Sequence, residues 1–357
     1  MNNKKSVIRN FLFVVILLVV VLVVVFSLND LETIVHELQK MNFKYVIISG
    51  LITILYFITW GLSLFCISTR FESKMNNFDL FLVSSCDLFF NGITPFSTGG
   101  QPFQVYVMSR GKMKASDATC AVMGKMIVYQ VAIVIVSSIA LAITYNRVVS
   151  LTSNFIILVL IGYFMNLFIL VLLLLVSTCK WARNLVLGLF NLIGKIKFLN
   201  KFMTEKKNAF SNYVTEFQLS FKDLIKHPWR LLGSLIFQIL NLIVMFMIPY
   251  FLIKGLSLDG FEANIKTVIY VISLSALNSA FMCWLPTPGA AGGAEFGLQT
   301  LLLTVNGVTS SAAVVVMLIW RLFTYYLTLL YGFIMFIILD QRLRKIEHNY
   351  EKDIVVD

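Results

Sequence analysis

Six apolar stretches of this chain are long enough to cross a bilayer, and two more are broken by proline and glycine where a crossing helix would continue. The unbroken six are Phe11–Leu28, Tyr45–Ser68, Ala118–Tyr145, Phe155–Ser177, Leu231–Ile253 and Ala312–Leu339. Runs of this kind, about 17–25 residues or more, match the ~30 Å of hydrocarbon in a membrane. The broken two are Asp79–Gly92 followed by Gln101–Ser109, and Lys266–Leu285 followed by Gly293–Val305. A soluble fold fails on composition: 59% of the 357 residues are hydrophobic and 13% charged, against roughly 45–50% and 25% in soluble domains. The fold class is therefore all-α and polytopic, since lipid offers backbone groups no partner outside a helix or a closed barrel.

The two breaks constrain the fold more tightly than the long runs do. Thr94-Pro-Phe-Ser-Thr-Gly-Gly-Gln-Pro-Phe103 and Thr287-Pro-Gly-Ala-Ala-Gly-Gly-Ala-Glu-Phe296 both read T-P-x-x-x-G-G-x-x-F, five matches in ten positions. Proline and glycine release backbone groups from helical hydrogen bonding, and at membrane depth that is tolerated only beside protein or a water-filled cavity. The 14 residues Asp79–Gly92 reach about 21 Å as a helix, so the short arms suit half-helices of re-entrant hairpins. Eight ordinary spans with two kinks are the alternative, with the same sidedness.

Lysine and arginine set the sides. Lys4, Lys5 and Arg9 hold the N-terminus in the cytoplasm, and with no small-residue cleavage pattern following, Phe11–Leu28 reads as a retained span. Arg70 and Lys74 mark the next return inside, Arg110, Lys112 and Lys114 the one after the first break, and Arg342, Arg344 and Lys345 a cytoplasmic C-terminus. The lysine-rich stretch 180–230 is cytoplasmic too. The second break must then begin and end outside. The chain divides into span, span, hairpin, span in residues 1–146, and the same series reversed in 147–357: an inverted repeat, which in many secondary transporters puts the site near the midplane. Within 180–230, Trp181, Leu185, Leu189, Leu192 and Ile196 recur at helical spacing beside Lys180, Arg183, Lys195 and Lys197. Such a helix lies on an anionic lipid surface or packs on the bundle.

The net charge of +11 flanks apolar runs, which is topology signal and gives no reason to expect nucleic acid. The cysteines Cys66, Cys86, Cys120, Cys179 and Cys283 form no C-x-x-C pair, and His36, His227 and His348 are scattered, so no metal or other cofactor is implied. No P-loop, nucleophile–base pair or dinucleotide loop appears, so no catalytic residue is assigned.

Charges inside spans need a reason, because each costs about 2.5–3.5 kcal/mol on insertion scales. Lys125 and Arg321 occupy equivalent helices of the two halves, each followed four residues later by a tyrosine, Tyr129 and Tyr325. Arg321 is expected near mid-membrane as a ligand for a lipid phosphate; Lys125 either assists it or snorkels to the cytoplasmic interface. Glu295, at a half-helix start, is a helix-dipole partner, a fixed ion-pair partner of Arg321, or a counter-ion that substrate displaces. Gln101 would line the facing hairpin tip, while Asp87, Asn91 and Asn278 either line a hydrated cavity or bond to one another. The N–H groups of Gly99, Gly100, Gly292 and Gly293 would form an anion-binding surface.

The segment Pro286-Thr-Pro-Gly-Ala-Ala-Gly-Gly-Ala-Glu295 resembles the P-T-P-G-G-x-G-x-x-E signature of the lysylphosphatidylglycerol synthase/flippase membrane domain family. Asn91-Gly-Ile-Thr-Pro95, Gly99-Gly100 and Arg321 resemble it as well, while Ala290 stands where that pattern has glycine. The resemblance implies transfer of an anionic or aminoacylated phospholipid such as lysylphosphatidylglycerol between leaflets of the cell membrane; in full-length relatives a separate cytoplasmic domain transfers lysine from tRNA to the lipid, giving resistance to cationic peptides. It also leaves open a lysyl-tRNA-dependent phosphatidylglycerol lysyltransferase, or a membrane scaffold for a separate lipid-modifying synthase. The residues up to Asp357 support the transport half of that activity.

Overall fold

The computed structural model describes residues 31–151, 153–193, 200–282 and 285–356. The expected first span Phe11–Leu28, with Lys4, Lys5 and Arg9, lies outside them. Among the described residues the chain is helical and contains no strand.

The helices are α1 (Leu31–Lys40), α2 (Phe43–Ser68), α3 (Asn77–Gly92), α4 (Gly100–Arg110), α5 (Ala115–Leu151), α6 (Ser153–Thr178) and α7 (Lys180–Ile193). They continue as α8 (Asn200–Ile225), α9 (Pro228–Gly255), α10 (Ile265–Met282), α11 (Gly293–Leu302), α12 (Ser310–Arg321) and α13 (Leu327–Val356). Six described segments are long and apolar enough to cross a membrane: Phe43–Ser68, Ala115–Asn146, Ile156–Thr178, Pro228–Gly255, Ile265–Met282 and Ser310–His348. Five match expected spans. The sixth, α10, was expected as a short arm; its 18 residues reach about 27 Å, close to a full crossing.

Both breaks fall where the sequence placed them, and they share a backbone form. After its proline, each holds two successive left-handed residues: Phe96 and Ser97 (φ 55° and 51°) in the first, Gly289 and Ala290 (φ 60° and 55°) in the second. Three of these four carry a side chain that disfavours this conformation by about 1–2 kcal/mol. Each break is a single short turn, Pro95–Ser97 and Pro288–Ala290, and the two turns pack against each other.

The packing between elements is reciprocal. Helix α2 lies along α9, joined by Gln238 Nε2 to Ser63 Oγ (2.9 Å) and by Asn241 Nδ2 to Thr59 Oγ1 (2.9 Å) and the Tyr56 carbonyl (2.8 Å). The first arm α3 packs on α13, and the corresponding arm α10 packs on α5. The apolar core is split accordingly. One cluster gathers α10–α12 with the later part of α5 (Ala132, Ile133, Ala140). The other gathers α3, α4 and α8 with its earlier part (Ala118–Val128).

Helix α6 contributes a lipid-facing surface, with Ile161, Phe164 and Phe168 exposed. Its inner face meets α10 at Gly162, where an added Cβ would sit 2.7 Å from the Ala280 carbonyl oxygen and 2.8 Å from Phe281 Cα. Asn166 Nδ2 bonds the same Ala280 oxygen at 3.1 Å. Gly162→Leu should therefore force the two backbones apart and destabilise the bundle by about 1–3 kcal/mol, read as a lowered melting temperature in detergent.

Four of the basic residues used to assign sidedness, Arg70, Arg110, Lys114 and Arg342, meet at one end of the bundle. Arg70 pairs with Asp223 (2.7 Å), Lys114 with Glu216 (3.0 Å), Arg110 with Glu347 (2.8 Å) and Asp340 (3.2 Å), and Arg342 with Asp79. Helix α8 docks there on α5, with Phe217, Phe221 and Leu224 buried. Helix α7 instead exposes Trp181, Leu185 and Leu192. Helix α7 also packs on α6 and α8, with Phe190 stacked on Phe210. The Leu189 side chain and residues Lys195, Ile196 and Lys197 lie outside what is described.

Candidate functional site

Between the two core clusters lies a cavity of about 560 Å³, within the ~300–1,000 Å³ typical of ligand sites. Its walls come from mid-helix residues: Tyr56 and Trp60 of α2, Lys125 to Gln130 of α5, and Asn241 to Met245 of α9. Both breaks close on it, through Asn91, Gly92 and Phe96–Thr98 on one side and Gly289 and Ala290 on the other. Of the expected site residues, Arg321, Lys125, Gln101, Tyr325, Tyr129, Asn91 and Asp87 line the cavity. Glu295 stands behind Arg321, and Gly99, Gly100, Gly292 and Gly293 are not on the wall.

Each half contributes one buried ion pair. Arg321 Nε donates to Glu295 Oε1 (2.6 Å) and its Nη2 to the Gly289 carbonyl (2.6 Å). Glu295 is the third residue of α11, and its Oε2 accepts the Gly292 N–H at 2.7 Å, so the helix N-terminus steadies the carboxylate. Arg321 also lies over the Tyr325 ring, 4.5 Å from its centre. Its Nη1 has no acceptor among the described residues and belongs to a side chain on the cavity wall.

The first-half pair is more fully bonded. Lys125 Nζ donates to Asp87 Oδ2 (3.0 Å) and Ser84 Oγ (2.9 Å) and sits 4.0 Å from the centre of the Trp60 ring. Asp87 also accepts from Trp60 Nε1 (2.7 Å) and Gln104 Nε2 (2.7 Å). Lys125 is 4% exposed. The option of snorkelling to the interface is corrected: a carboxylate one helix away gives the ammonium a partner at depth.

The glycine expectation needs a correction too. The Gly99 N–H donates to Thr94 Oγ1 (2.8 Å), the Gly100 N–H to Asn91 Oδ1 (2.9 Å) and the Gly292 N–H to Glu295. Three of the four amides are thus engaged within the hairpins, because a buried N–H without an acceptor is costly. The amides of Gly99, Gly100 and Gly292 are therefore not available to an anion. Asn278 donates to the Ala294 carbonyl (3.2 Å), tying α10 to α11.

Trp60, Gln104 and Ser84 were missed. Ser84 and Asp87 lie one turn apart, so a cation opposite can reach both; Trp60 and Gln104 gave no such signal.

A widened turn follows Arg321 directly. From Leu322 to Tyr326 the backbone bonds i→i+5, the Leu327 N–H reaching the Leu322 carbonyl. Such turns recur at functional sites. Here the turn carries Tyr325, whose hydroxyl donates to the Gly92 carbonyl (3.1 Å). The tyrosine thereby joins the second-half helix to the first-half break.

These features define a multi-pass integral membrane protein whose buried polar centre is built on two interrupted helices. The chain belongs to the lysylphosphatidylglycerol synthase TM region family, whose model matches residues 11–332. It is also similar to a UPF0104 membrane protein of Archaeoglobus fulgidus, 21% identical over 314 residues, which cover 87% of this chain and 90% of that protein.

Proposed function

We propose that this protein is a flippase-like transporter that moves an anionic or aminoacylated phospholipid between leaflets, with Arg321 holding the lipid phosphate. The observation that carries this reading is the mid-bundle cavity with one buried ion pair from each half on or behind its walls. Arg321 is the better phosphate ligand of the two cations, because Nη1 is open and a guanidinium presents several donors in a fixed plane. Lys125, saturated by Asp87, Ser84 and Trp60, supplies positive potential, and Gln101, Asn91, Tyr129 and Tyr325 border the headgroup. The acyl chains stay in lipid.

The architecture proposed with it is an inverted repeat of residues 1–146 and 147–357, with the two breaks as re-entrant tips meeting at a pseudo-twofold axis. Three observations support it. The breaks share the same pair of left-handed residues at equivalent positions. The equivalent helices α2 and α9 pack on each other, as do the two break turns. The contact of α3 with α13 is returned by that of α10 with α5, the reciprocity that a twofold relation requires. The ion pairs gathered at one end support the assigned sidedness, with both termini at the cytoplasmic face of the cell membrane.

Mass spectrometry of lipid retained by the gently purified protein tests the ligand assignment. Wild type should keep an anionic or aminoacylated phospholipid, and a variant lacking both Arg321 and Glu295 should lose it. Equal retention by the two would remove Arg321 from the site.

A further inference from the structure

This inference rests on the reading that a lipid phosphate enters the cavity. The buried charges there already cancel: Lys125 with Asp87 at 3.0 Å, and Arg321 with Glu295 at 2.6 Å. All four side chains are less than a tenth exposed. A phosphate monoanion would therefore add one negative charge with no spare cation among the described residues of the wall to pair with it, and low-dielectric surroundings penalise that heavily. Lys125 cannot answer from its present position, because its donors face Asp87, Ser84 and the Trp60 ring.

We infer that Asp87 is a proton site that keeps entry of an anionic headgroup electroneutral. A proton from a hydronium ion adds to the Asp87 carboxylate, its hold on Lys125 weakens, and the ammonium turns toward the phosphate held by Arg321. The charges of the four side chains then sum to +1 and the phosphate brings the total back to zero. One O–H bond forms on Asp87 and one breaks in the hydronium ion that supplies the proton and leaves as water; every other exchange is of hydrogen bonds and ion pairs.

Geometry separates Asp87 from Glu295 for this role. Asp87 is the one carboxylate on the cavity wall among the described residues. Glu295 stands off the wall, at the α11 N-terminus, bonded to the Gly292 N–H and to Arg321. The groups that face Asp87 are few. Helix α5 brings Lys125 and Tyr129, and α2 brings Tyr56 and Trp60. Helix α4 brings the uncharged Gln104, and α13 brings Tyr331, bonded to neighbouring Ser85 at 3.0 Å. Cys86 is adjacent on α3, Asp79 lies two turns earlier and is paired with Arg342, and Arg321 faces across the cavity. Among the described residues, Lys125 is the one cation in direct contact with Asp87.

A zwitterionic headgroup brings its own cation and needs no proton, so the two lipid classes should behave differently. The test uses full-length protein in detergent, weakly buffered near neutral pH, titrated with short-chain phosphatidylglycerol or short-chain phosphatidylethanolamine. Binding is read from heat and proton uptake from an indicator dye. Wild type should take up about one proton per bound phosphatidylglycerol and none with phosphatidylethanolamine. Its affinity for phosphatidylglycerol should weaken about tenfold for each unit rise in pH, and in Asp87→Asn that dependence should vanish. If Asp87→Asn does not fold, the wild-type uptake and pH slope still decide. Phosphatidylglycerol binding without uptake overturns the proton site and leaves the transport reading standing, whereas no binding of either lipid overturns both.

Discussion

Arg321→Ala should abolish movement of an anionic phospholipid between leaflets and lower stability by about 3–5 kcal/mol, the usual cost of leaving one member of a buried pair unpaired. The arginine holds both Glu295 and the Gly289 carbonyl, at 2.6 Å each. Its removal therefore strands a carboxylate at depth and frees a backbone oxygen at the break. A double variant separates folding from transport. Arg321→Met with Glu295→Gln removes both charges, so stability should recover most of the loss while translocation stays absent. Recovery of translocation in the double variant would show that the guanidinium serves the fold alone.

Gly289→Ala carries the second large expected effect. The residue sits at φ +60°, and a Cβ there would come within 2.1 Å of the Tyr325 ring. That ring is held by its own hydroxyl on Gly92 and by the widened turn that carries it, so it has little room to withdraw. Left-handed strain of about 1–2 kcal/mol and overpacking of about 1–3 kcal/mol together give about 2–5 kcal/mol. Combining Gly289→Ala with Tyr325→Ala should cost clearly less than the sum of the single changes, because both act on one contact. Additive thermal shifts would mean the two residues do not meet. By contrast, Ala290→Gly relieves a buried alanine at φ 55° and should leave stability unchanged or slightly raised, since glycine adopts that conformation freely.

The sequence made the spans legible wherever a hydrophobic run carried the signal, as in α2, α5, α6, α9 and α12–α13. It also located both breaks, because proline and paired glycines mark released backbone directly. What it hid was tertiary. The Asp87–Lys125 contact joins residues 38 positions apart, and nothing local in Asp79–Gly92 distinguishes a cavity-facing aspartate from one bonded within the hairpin. The same gap left Lys125 open to an interfacial position, where the fold buries it against α3 and Trp60. Glycine spacing pointed to free amides, yet Thr94, Asn91 and Glu295 had been placed by the fold to accept them. Helix α10 was grouped with the broken segments because proline follows it, yet its 18 residues are long and apolar enough to cross a membrane.

Both buried cations are held in ion pairs. Two cations buried in the bundle would be costly alone, and each is paired with a buried carboxylate. The Arg321–Glu295 pair keeps a donor open while the Lys125–Asp87 pair does not, which is why the proposal gives phosphate binding to the first and charge compensation to the second.

The most direct test of this account is a leaflet assay in proteoliposomes containing purified protein and phosphatidylglycerol labelled on an acyl chain. A membrane-impermeant reductant added outside quenches label in the outer leaflet. The account predicts that wild-type protein carries quenching beyond the outer-leaflet fraction and that Arg321→Met/Glu295→Gln does not. Quenching by wild type that stops where protein-free vesicles stop would contradict it.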